Sequence, residues 1–268
     1  MTFAARYGPW AIVAGASEGV GRELARQVAA KGVPCVLVAR RVQPLAELAE
    51  QIRAESGVEC LPASIDLAAP DAFDRIVAAV GHREVGLYVG NAGADPNGSH
   101  FLDRESDTWA DLVRCNVLTT IRACHHFGGL MRERRRGGLL LVGSGAAYSG
   151  AQRLAVYSGT KAFQLRFGES LWAELRPFGV DVLSLVLVTT DTPALRRLLA
   201  EKGRPIPSRM ASSSRVAEIG LARLRQGPVY SWGPLAGLRA YASRARVRLV
   251  TALSRKVLGD VRTERSTS

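Results

Sequence analysis

Residues 15–21 of the chain read Gly15-Ala16-Ser17-Glu18-Gly19-Val20-Gly21. They stand between an apolar run at 10–14, which predicts a buried strand, and an amphipathic run at 21–30, which predicts a helix. Glycines at such a turn permit positive φ angles, let the backbone approach a ligand, and allow the helix to pack closely on the strand. Because the first N–H groups of a helix are unpaired, this context predicts a pyrophosphate site at the turn.

The same residues also match GxSxG, the nucleophile elbow of α/β-hydrolases. In that fold the acid and then the histidine follow the serine, and the histidine usually lies late in the chain. Here the elbow would lie on the first strand, and the four histidines end at His126. This order argues against a hydrolase.

Outward from the turn, short apolar runs alternate with longer amphipathic stretches. The apolar runs predict further strands at 34–39, 58–65, 86–90, 139–142 and 181–188. The amphipathic stretches predict helices at 44–55, 71–80 and 156–178, and a long helix that ends near Arg136. Strands that are apolar on both faces and alternate with helices indicate a single-domain, doubly wound parallel sheet of the Rossmann type, with helices on both faces. We expect this α/β domain to span residues 1–232, with residues 191–217 covering the substrate.

Composition is consistent with one globular domain. The 268 residues are 47% hydrophobic and 22% charged, which excludes disordered and disulfide-framework proteins. The four cysteines are scattered, and His125 and His126 are adjacent without partners at ligand spacing, so we expect no metal site. No apolar run approaches the roughly 18 residues that a membrane span requires, and residues 1–9 have no apolar region of the secretory type. We therefore expect a cytoplasmic protein with reduced thiols.

The charge is strongly basic, with 36 Lys and Arg against 24 Asp and Glu and a formal net charge of +12. The stretches 132–136 and 233–268 together supply nine of these charges. Such patches can attract nucleic acid or anionic lipid. No nucleic-acid recognition motif accompanies them, and we expect no nucleic-acid partner.

The C-terminal region, 233–268, predicts a basic amphipathic helix followed by a frayed tail at 261–268. Its apolar residues fall on one helical face and its arginines on the other. The apolar face is formed by Leu235, Leu238, Ala242, Ala245, Leu249, Ala252 and Leu253, and the opposite face by Arg244, Arg248 and Arg255. The face could pack on the domain or a partner subunit, or it could lie on a membrane surface. Its Ala and Leu content, without an aromatic wedge, favours the packed helix.

The second strand ends in Ala39-Arg40-Arg41. Dinucleotide folds that prefer NAD usually place an acidic residue here to bind the ribose 2′-hydroxyl. Arg40 and Arg41 could instead bind a 2′-phosphate through planar donors, or they could be an ordinary basic helix start. We therefore expect NADP rather than NAD, although the carboxylate of Glu18 would be unfavourable beside the same phosphate.

Tyr157 and Lys161 lie one helical turn apart. Only four of the 36 basic residues are lysines, which suggests that a compact ammonium is needed here. A free phenol has a pKa of about 10, and a nearby cation lowers it toward the range that suits proton exchange. Ser144, thirteen residues upstream, follows a strand whose carboxyl end faces the same edge of the sheet.

These motifs resemble those of the short-chain dehydrogenase/reductase family up to about Trp232. The matching residues, in chain order, are Gly15, Gly19, Val20, Gly21, Asp66, Leu67, Asn91, Ala92, Gly93, Asn116, Ser144, Tyr157, Lys161 and Thr192. Seven motifs in this order and at family-like spacing make the resemblance specific.

The resemblance implies reversible hydride transfer between NADP(H) and a secondary alcohol or ketone. Tyr157 would exchange the proton with the substrate oxygen, and Ser144 would hydrogen-bond that oxygen. Lys161 would lower the pKa of the phenol and bind the nicotinamide ribose. Asn116 would hold a water that extends the proton relay. The other implied cofactor contacts are Asp66 and Leu67 at the adenine, Asn91, Ala92 and Gly93 at the adenosine side, and Val188, Thr190 and Thr192 near the nicotinamide, together with Ser17 and Glu18 of the turn.

The chain departs from the family pattern at three places. Ala14 stands where a threonine is usual, Gly90 where the first asparagine of Asn-Asn-Ala-Gly is usual, and Leu187-Val188-Thr189 where Pro-Gly is common. The last departure bears on how the nicotinamide would be placed.

The similarity to hydroxysteroid and 3-oxoacyl reductases implies a lipophilic, steroid-like or acyl substrate and a homodimer or homotetramer. The alternative is a catalytically idle NADP-binding regulator on the same fold, with its basic tail on a partner or membrane.

Overall fold

The computed structural model of the chain describes residues 1–93, 95, 98–232 and 236–258. The predicted frayed tail at 261–268 and Leu235 of the predicted apolar face lie outside the described residues.

Nine strands and ten α-helices form the described part of the chain. The strands are β1 (Trp10–Ala14), β2 (Cys35–Ala39), β3 (Cys60–Ser64), β4 (Val85–Gly90), β5 (Gly137–Ser144), β6 (Val180–Leu187), β7 (Thr190–Asp191), β8 (Ala211–Ser212) and β9 (Val229–Ser231). The helices are α1 (Phe3–Tyr7), α2 (Gly19–Ala29), α3 (Val42–Ser56), α4 (Ala72–Val80), α5 (Ser106–Val113), α6 (Thr119–Glu133), α7 (Ala155–Leu175), α8 (Pro193–Glu201), α9 (Ser213–Arg223) and α10 (Ala236–Leu258).

Seven of the strands form one parallel sheet in the order β3-β2-β1-β4-β5-β6-β9. The chain winds outward from β1 to β3, returns to the middle, and continues from β4 to the other edge. The predicted doubly wound sheet is confirmed. The winding direction reverses between β1 and β4, and in such sheets ligands bind beyond the carboxyl ends of the strands at this point.

Two apolar layers separate the sheet from its helices. On one face, α2, α3 and α9 bury Leu24, Leu48 and Leu221 among others. On the opposite face, α4 and α6 bury Ile76 and Phe127. Because every central strand has a helix layer on each side, its residues are apolar in both directions, as the sequence predicted.

The edge strand β9, the last strand of the seven-stranded sheet, was not predicted from the sequence. β9 has only three residues, and it pairs with β6 from Ser184–Val229 to Val186–Ser231. A three-residue apolar run carries no periodicity, so its place in the sheet depends on pairing with a distant strand.

The predicted long helix ending near Arg136 is a continuous helical run that contains a π turn. α5 passes through the π-helical segment Arg114–Leu118 into α6, which ends at Glu133. A π turn accommodates one extra residue without breaking the helix, and such turns are frequent at functional sites.

The orientation predicted for the C-terminal helix is wrong. α10 packs on α7 and β9 through Ala240, Ser243 and Val247, whereas Leu238 and Leu249 of the predicted packing face are exposed. The buried carboxylate of Glu169 on α7 explains this orientation, because it accepts hydrogen bonds of 2.6 Å from both Ser243 and Arg246. Arg166 on α7 pairs the other oxygen of this carboxylate at 2.5 Å, and the face of α10 that carries Ser243 and Arg246 supplies its remaining donors.

Candidate active site

The glycine-rich turn lies at the carboxyl end of β1, where the winding reverses. Gly15 and Gly19 have φ angles of +85° and +58°, which favour glycine. A Cβ atom on Gly21 would lie 2.0 Å from the carbonyl oxygen of Gly15, so glycine is required for the helix to approach the strand. The side chain of Asn91 braces the turn by donating to that same carbonyl at 3.0 Å.

The start of α2 has the features of an anion site. Glu18 is the N-cap residue, but its side chain makes no capping hydrogen bond to the helix. The first backbone N–H groups of α2 therefore point toward the carboxyl edge of the sheet, next to the glycine turn.

Of the two predicted 2′-phosphate ligands, the structure brings Arg41 to the turn. Its guanidinium donates to Ser17 Oγ at 3.1 Å and lies 2.7 Å from Glu18 Oε2. Arg40 is exposed, and its carbonyl oxygen accepts a hydrogen bond from Ser64. Of the two arginines, Arg41 is thus the one whose guanidinium contacts the glycine-rich turn.

The charge of Glu18 is compensated. Burial raises the pKa of Glu18, but the hydrogen bonds from Arg197 and Arg41 lower it by more. The pKa of this carboxyl therefore lies below its ordinary value. The objection that a carboxylate would repel a phosphate here is therefore weakened, because two guanidinium groups share this one carboxylate.

Asp66 and Leu67 follow β3 on the same edge of the sheet. Asp66 is exposed, and its Oδ1 accepts from the backbone of Ala68 at 3.0 Å. Leu67 is buried, and its carbonyl oxygen accepts from the Thr119 hydroxyl at 2.9 Å. These bonds hold the β3–α4 turn beside the start of α6.

The segment after β4 joins the glycine turn to the residues on α7. The backbone N–H groups of Asn91 and Ala92 donate to the carbonyl of Ala14 at 3.1 and 2.9 Å. Gly93 has a φ of +131°, and a Cβ atom there would lie 2.7 Å from Asn116 Oδ1 and 3.1 Å from Lys161 Nζ. Gly93 therefore lies against both of these side chains.

Asn116 lies in the π turn and is buried. Its Nδ2 donates to Thr160 Oγ1 at 3.0 Å, and that hydroxyl donates to the carbonyl of Tyr157 at 2.8 Å. Asn116 Oδ1 is buried and accepts no hydrogen bond from any group that the structure describes. The π turn thus aims an amide at the first turn of α7 and leaves an acceptor directed into the site.

Lys161 is buried beneath Tyr157. Its Nζ donates to the carbonyl of Val142 and to Gln164 Oε1, both at 3.1 Å, and lies 5.8 Å from the centre of the Tyr157 ring. Burial lowers the pKa of Lys161 to about 8. Gln164 was not predicted from the sequence, although its position three residues after Lys161 on one helix places the two side chains on the same side.

Burial raises the pKa of Tyr157 above its ordinary value. The hydrogen bond from Ser144 lowers it in part, and the negative charge of Asp95 raises it further. The expected lowering by Lys161 is not found among the causes of this shift, and its ammonium donates to Val142 and Gln164 rather than to the phenol. Ser144, at the end of β5, is the residue that lowers the pKa of the phenol here, and no sequence signal pointed to Asp95.

The sequence profile described as short chain dehydrogenase matches residues 9–203, more than half of the chain. The chain belongs to the short chain dehydrogenase family. The resemblance predicted from the motifs is thereby confirmed.

Curated relatives of this short chain dehydrogenase include reductases and a steroid enzyme. It is 36% identical over 235 residues to a very-long-chain 3-oxoacyl-CoA reductase of Aspergillus clavatus, covering 84% of this chain and 65% of the fungal one. It is 32% identical over 193 residues to the 7beta-hydroxysteroid dehydrogenase of Clostridium sardiniense, covering 72% and 74% of the two chains. The chain thus spans just under two thirds of the length of the fungal reductase.

A solved short-chain dehydrogenase from Sphingobium yanoikuyae, in complex with NADPH, has the same fold. The TM-score is 0.77 at 22% identity, and the alignment covers 97% of this chain and 99% of that one.

The residues predicted to cover the substrate, 191–217, include one helix outside the core and the first turn of another that packs in it. β7 and β8 pair at Thr190–Ala211 and close the excursion that contains α8. α9 begins at Ser213 and packs on α2, with Val216 and Ala217 in the core. We call residues 192–212 the lid, and its role over a substrate stays a prediction.

The lid begins directly above the glycine turn. Thr192 Oγ1 accepts from the backbone N–H of Leu195 at 3.2 Å and caps α8. A Cβ atom on Gly19 would lie 3.0 Å from the methyl group of Thr192. Thr190 donates to the carbonyl of Val188 at 2.8 Å, and Val188 is exposed. Of these three predicted cofactor contacts, Val188 and Thr190 lie between β6 and the lid, and Thr192 is the first residue of the lid.

Apolar side chains are exposed on the loops that meet near the lid. The loop after β4 reaches α8, since a Cβ atom on Gly98 would lie 3.9 Å from Leu198. The same loop reaches the β5–α7 loop, where Arg153 donates to His100 at 3.3 Å. The exposed apolar residues of these loops and the lid, which we call the mouth, are Phe101, Leu102, Tyr148, Val188 and Ile206.

Within the described ranges, no three His, Cys, Asp or Glu side chains are grouped as ligands for a metal ion. None of the helices in those ranges is both long enough and apolar enough to cross a bilayer.

Proposed function

We propose that the protein is an NADP(H)-dependent oxidoreductase that interconverts a secondary alcohol and a ketone on a lipophilic substrate. The observation that carries this proposal is the convergence of Ser144, Tyr157, Lys161 and Asn116 at one edge of the sheet, beside the glycine turn. Oxidoreductases among the relatives support the same class of reaction.

The residues present fit a dinucleotide. Glycines 15, 19 and 21 leave the space that Cβ atoms would fill, and the uncapped start of α2 suits a diphosphate. Arg41, with Arg40 next to it, would bind the 2′-phosphate, which favours NADP over NAD. Asp66 and Leu67 would border the adenine, and the residues expected near the nicotinamide are Val188, Thr190 and Thr192.

When bound, the nucleotide supplies or accepts the hydride. The chain itself handles the proton. Tyr157 would donate its hydroxyl proton to the carbonyl oxygen during reduction and accept it during oxidation, while Ser144 donates a hydrogen bond to the same oxygen. Lys161 would contribute a positive charge beneath the phenol and bind the ribose. Asn116, through its buried Oδ1, would accept a hydrogen bond from a water that links Lys161 to solvent.

A lipophilic substrate is supported by the apolar mouth. Phe101, Leu102 and Ile206 are exposed around the site, and exposed apolar groups of this kind mark ligand-binding surfaces. The relatives named for 3-oxoacyl-CoA and hydroxysteroid chemistry act on lipophilic compounds, which makes steroid-like and acyl ketones the first candidates.

A catalytically idle regulator on this fold is disfavoured by Lys161 together with Ser144 and Tyr157. Burial shifts its pKa to about 8, so the folded state carries the cost of an ammonium removed from water. A scaffold that only binds a nucleotide could use this ammonium at the ribose, but it would gain nothing from Ser144 and Tyr157 beside it, whereas proton transfer requires both.

Assembly and compartment belong to the same proposal. Exposed Leu118, Leu130 and Phe163 lie along the helices that hold Asn116 and Tyr157, which supports a homodimer or homotetramer through them. Cys35 and Cys60 are register partners on β2 and β3 and remain free thiols, which supports a reducing compartment such as the cytoplasm.

The test is turnover of a panel of steroid, 3-oxoacyl-thioester and small ketones, followed by the absorbance of NADPH, with Tyr157→Phe as the matched variant. We expect the variant to lose about 100-fold or more in kcat, because the proton donor is absent. Its NADPH affinity, measured by fluorescence titration, should remain within a few-fold. Equal turnover by the two proteins would exclude the mechanism, and turnover with NADH alone would exclude the cofactor preference.

A further inference from the structure

An apolar stripe runs along the solvent side of α10. Leu238 and Leu249 are each 62% exposed, Tyr241 is 69% exposed, and Leu253 continues the stripe. With 3.6 residues and 5.4 Å per turn, these residues lie on one side of the helix over about 22 Å. We propose that α10 docks the protein on an anionic lipid surface through this stripe, with the helix lying in the plane of the membrane interface.

The helix is held so that the stripe cannot turn inward. Ala240, Ser243 and Val247 on the opposite side are buried against the body of the protein. The carboxylate of Glu169 accepts from Ser243 and Arg246 at 2.6 Å each, and rolling the helix would break both bonds and leave Arg166 of α7 as its remaining partner. Exposure of the stripe is therefore a property of the packed helix.

Basic residues border the stripe on both sides. At 100° per residue, the exposed Arg239 lies on one flank and the exposed Arg248 on the other, whereas Arg246 beside the first is bonded to Glu169 and the Nε of Arg244 beside the second is buried. The 23 residues of α10 contain six Arg or Lys and no Asp or Glu. Arginines in this position extend along apolar surface and place their guanidinium groups at the level of phosphate headgroups. This arrangement is complementary in charge to an anionic membrane surface.

The same charges disfavour a second copy of the chain as the occupant. A two-fold contact through the stripe would bring the basic flanks of one helix, with Arg239 and Arg248, toward the equally basic flanks of the other. No acidic residue on α10 is available to pair with them. The lipid phosphate is the partner that satisfies both the apolar stripe and its basic flanks.

The docked orientation also bears on access to the site. α10 follows β9, and the hydroxyl of Ser231 at the end of that strand is hydrogen-bonded to Tyr148 of the mouth. Docking would hold that end of α10, and with it the neighbouring mouth, close to the membrane. The proposal itself rests on α10 alone and does not depend on the proposed function.

The experiment is co-sedimentation of the full chain with vesicles of phosphatidylcholine and with vesicles that also contain phosphatidylglycerol. We expect at least about tenfold stronger partitioning to the anionic vesicles, which weakens as salt is raised because the Debye length shortens. Leu238→Gln with Leu249→Gln should reduce that binding by about tenfold or more, since two apolar contacts with the interface are lost without a change of charge. Arg239→Gln with Arg248→Gln should remove most of the preference for anionic lipid.

Val42→Gln is the matched control, because Val42 is 67% exposed on α3 and lies away from α10. It should bind vesicles as the unsubstituted protein does, and circular dichroism should show that all variants are folded. Unchanged binding by the double-leucine variant would overturn the proposal, as would equal binding to neutral vesicles. A third outcome would also overturn it. If the protein self-associates without lipid in sedimentation velocity, and the double-leucine substitution abolishes that association, the stripe is a contact between copies.

Discussion

Arg197, on the lid helix α8, donates two hydrogen bonds to Glu18 in the glycine-rich turn, at 2.6 and 3.0 Å. The pair joins two segments that are 179 residues apart in the chain. Arg41 contacts the same carboxylate from the other side at 2.7 Å. The candidate phosphate site and the lid are therefore linked through one acidic side chain, and a change at Glu18 reaches both.

Arg41 is expected to discriminate between the two nicotinamide cofactors. Arg41→Ala should weaken NADPH binding by about tenfold or more, because a charge-assisted bond to the 2′-phosphate is lost, and should change NADH binding little. Glu18→Gln should tighten NADPH binding, because the guanidinium is released from its carboxylate. Fluorescence titration with both nucleotides measures these effects. Arg40→Ala is the neighbouring control, and a larger effect there than at Arg41 would contradict the assignment.

Lys161 is expected to make stability depend on alkaline pH. Its pKa is about 8 in the folded protein against an ordinary value of 10.5, so the folded state loses this proton first. The destabilising contribution is fully present below pH 8 and disappears as pH rises toward 10.5. The free energy of unfolding of the unsubstituted protein should therefore rise relative to Lys161→Met by about 3 kcal/mol over that range.

Urea denaturation of both proteins at several pH values measures this difference. Comparing the two proteins removes the titration of groups that do not interact with Lys161, including the buried Cys35, Cys60 and Cys124, whereas the pKa of Cys115 is coupled to Lys161. A difference that stays constant with pH would mean that Lys161 retains its ordinary pKa.

Ser144 is expected to set the pH dependence of alcohol oxidation. Its hydrogen bond lowers the pKa of Tyr157, so Ser144→Ala should raise that pKa and move the rise of kcat/KM to higher pH. Ser144→Thr keeps a hydroxyl and should shift the profile less. Identical profiles for the alanine variant and the unsubstituted protein would show that another group controls the phenol.

Gly21 is expected to be intolerant of any side chain. A Cβ atom there would lie 2.0 Å from the Gly15 carbonyl oxygen and 2.5 Å from Asn91 Nδ2, so Gly21→Ala should cost about 1–3 kcal/mol of stability or more. Gly129 is the matched control, because it lies in α6 with nothing within 4 Å of its Cβ position. Gly129→Ala should stabilise the protein by about 0.5–1 kcal/mol. Equal midpoints in urea for the two variants would contradict the packing described at the turn.

Local patterns in the sequence were sufficient to predict six strands of the sheet, the glycine turn and the position of Tyr157 and Lys161 on one side of a helix. Apolar runs with no polar alternation can only be strands covered on both faces, and a four-residue spacing on a helix brings two side chains to one side. These features depend on neighbours in sequence, and for that reason they could be predicted without coordinates.

Other features depended on contacts between distant segments. The face that α10 buries carries Ser243 and Arg246, which add two hydrogen bonds to the buried Glu169 of α7 beside the one from Arg166, whereas an alanine- and leucine-rich face could add none. β9 was placed by pairing with β6, and the ammonium of Lys161 was directed by the Val142 carbonyl. Periodicity shows which residues of an element are apolar, but the element's neighbours determine which of its faces is buried and which charges meet.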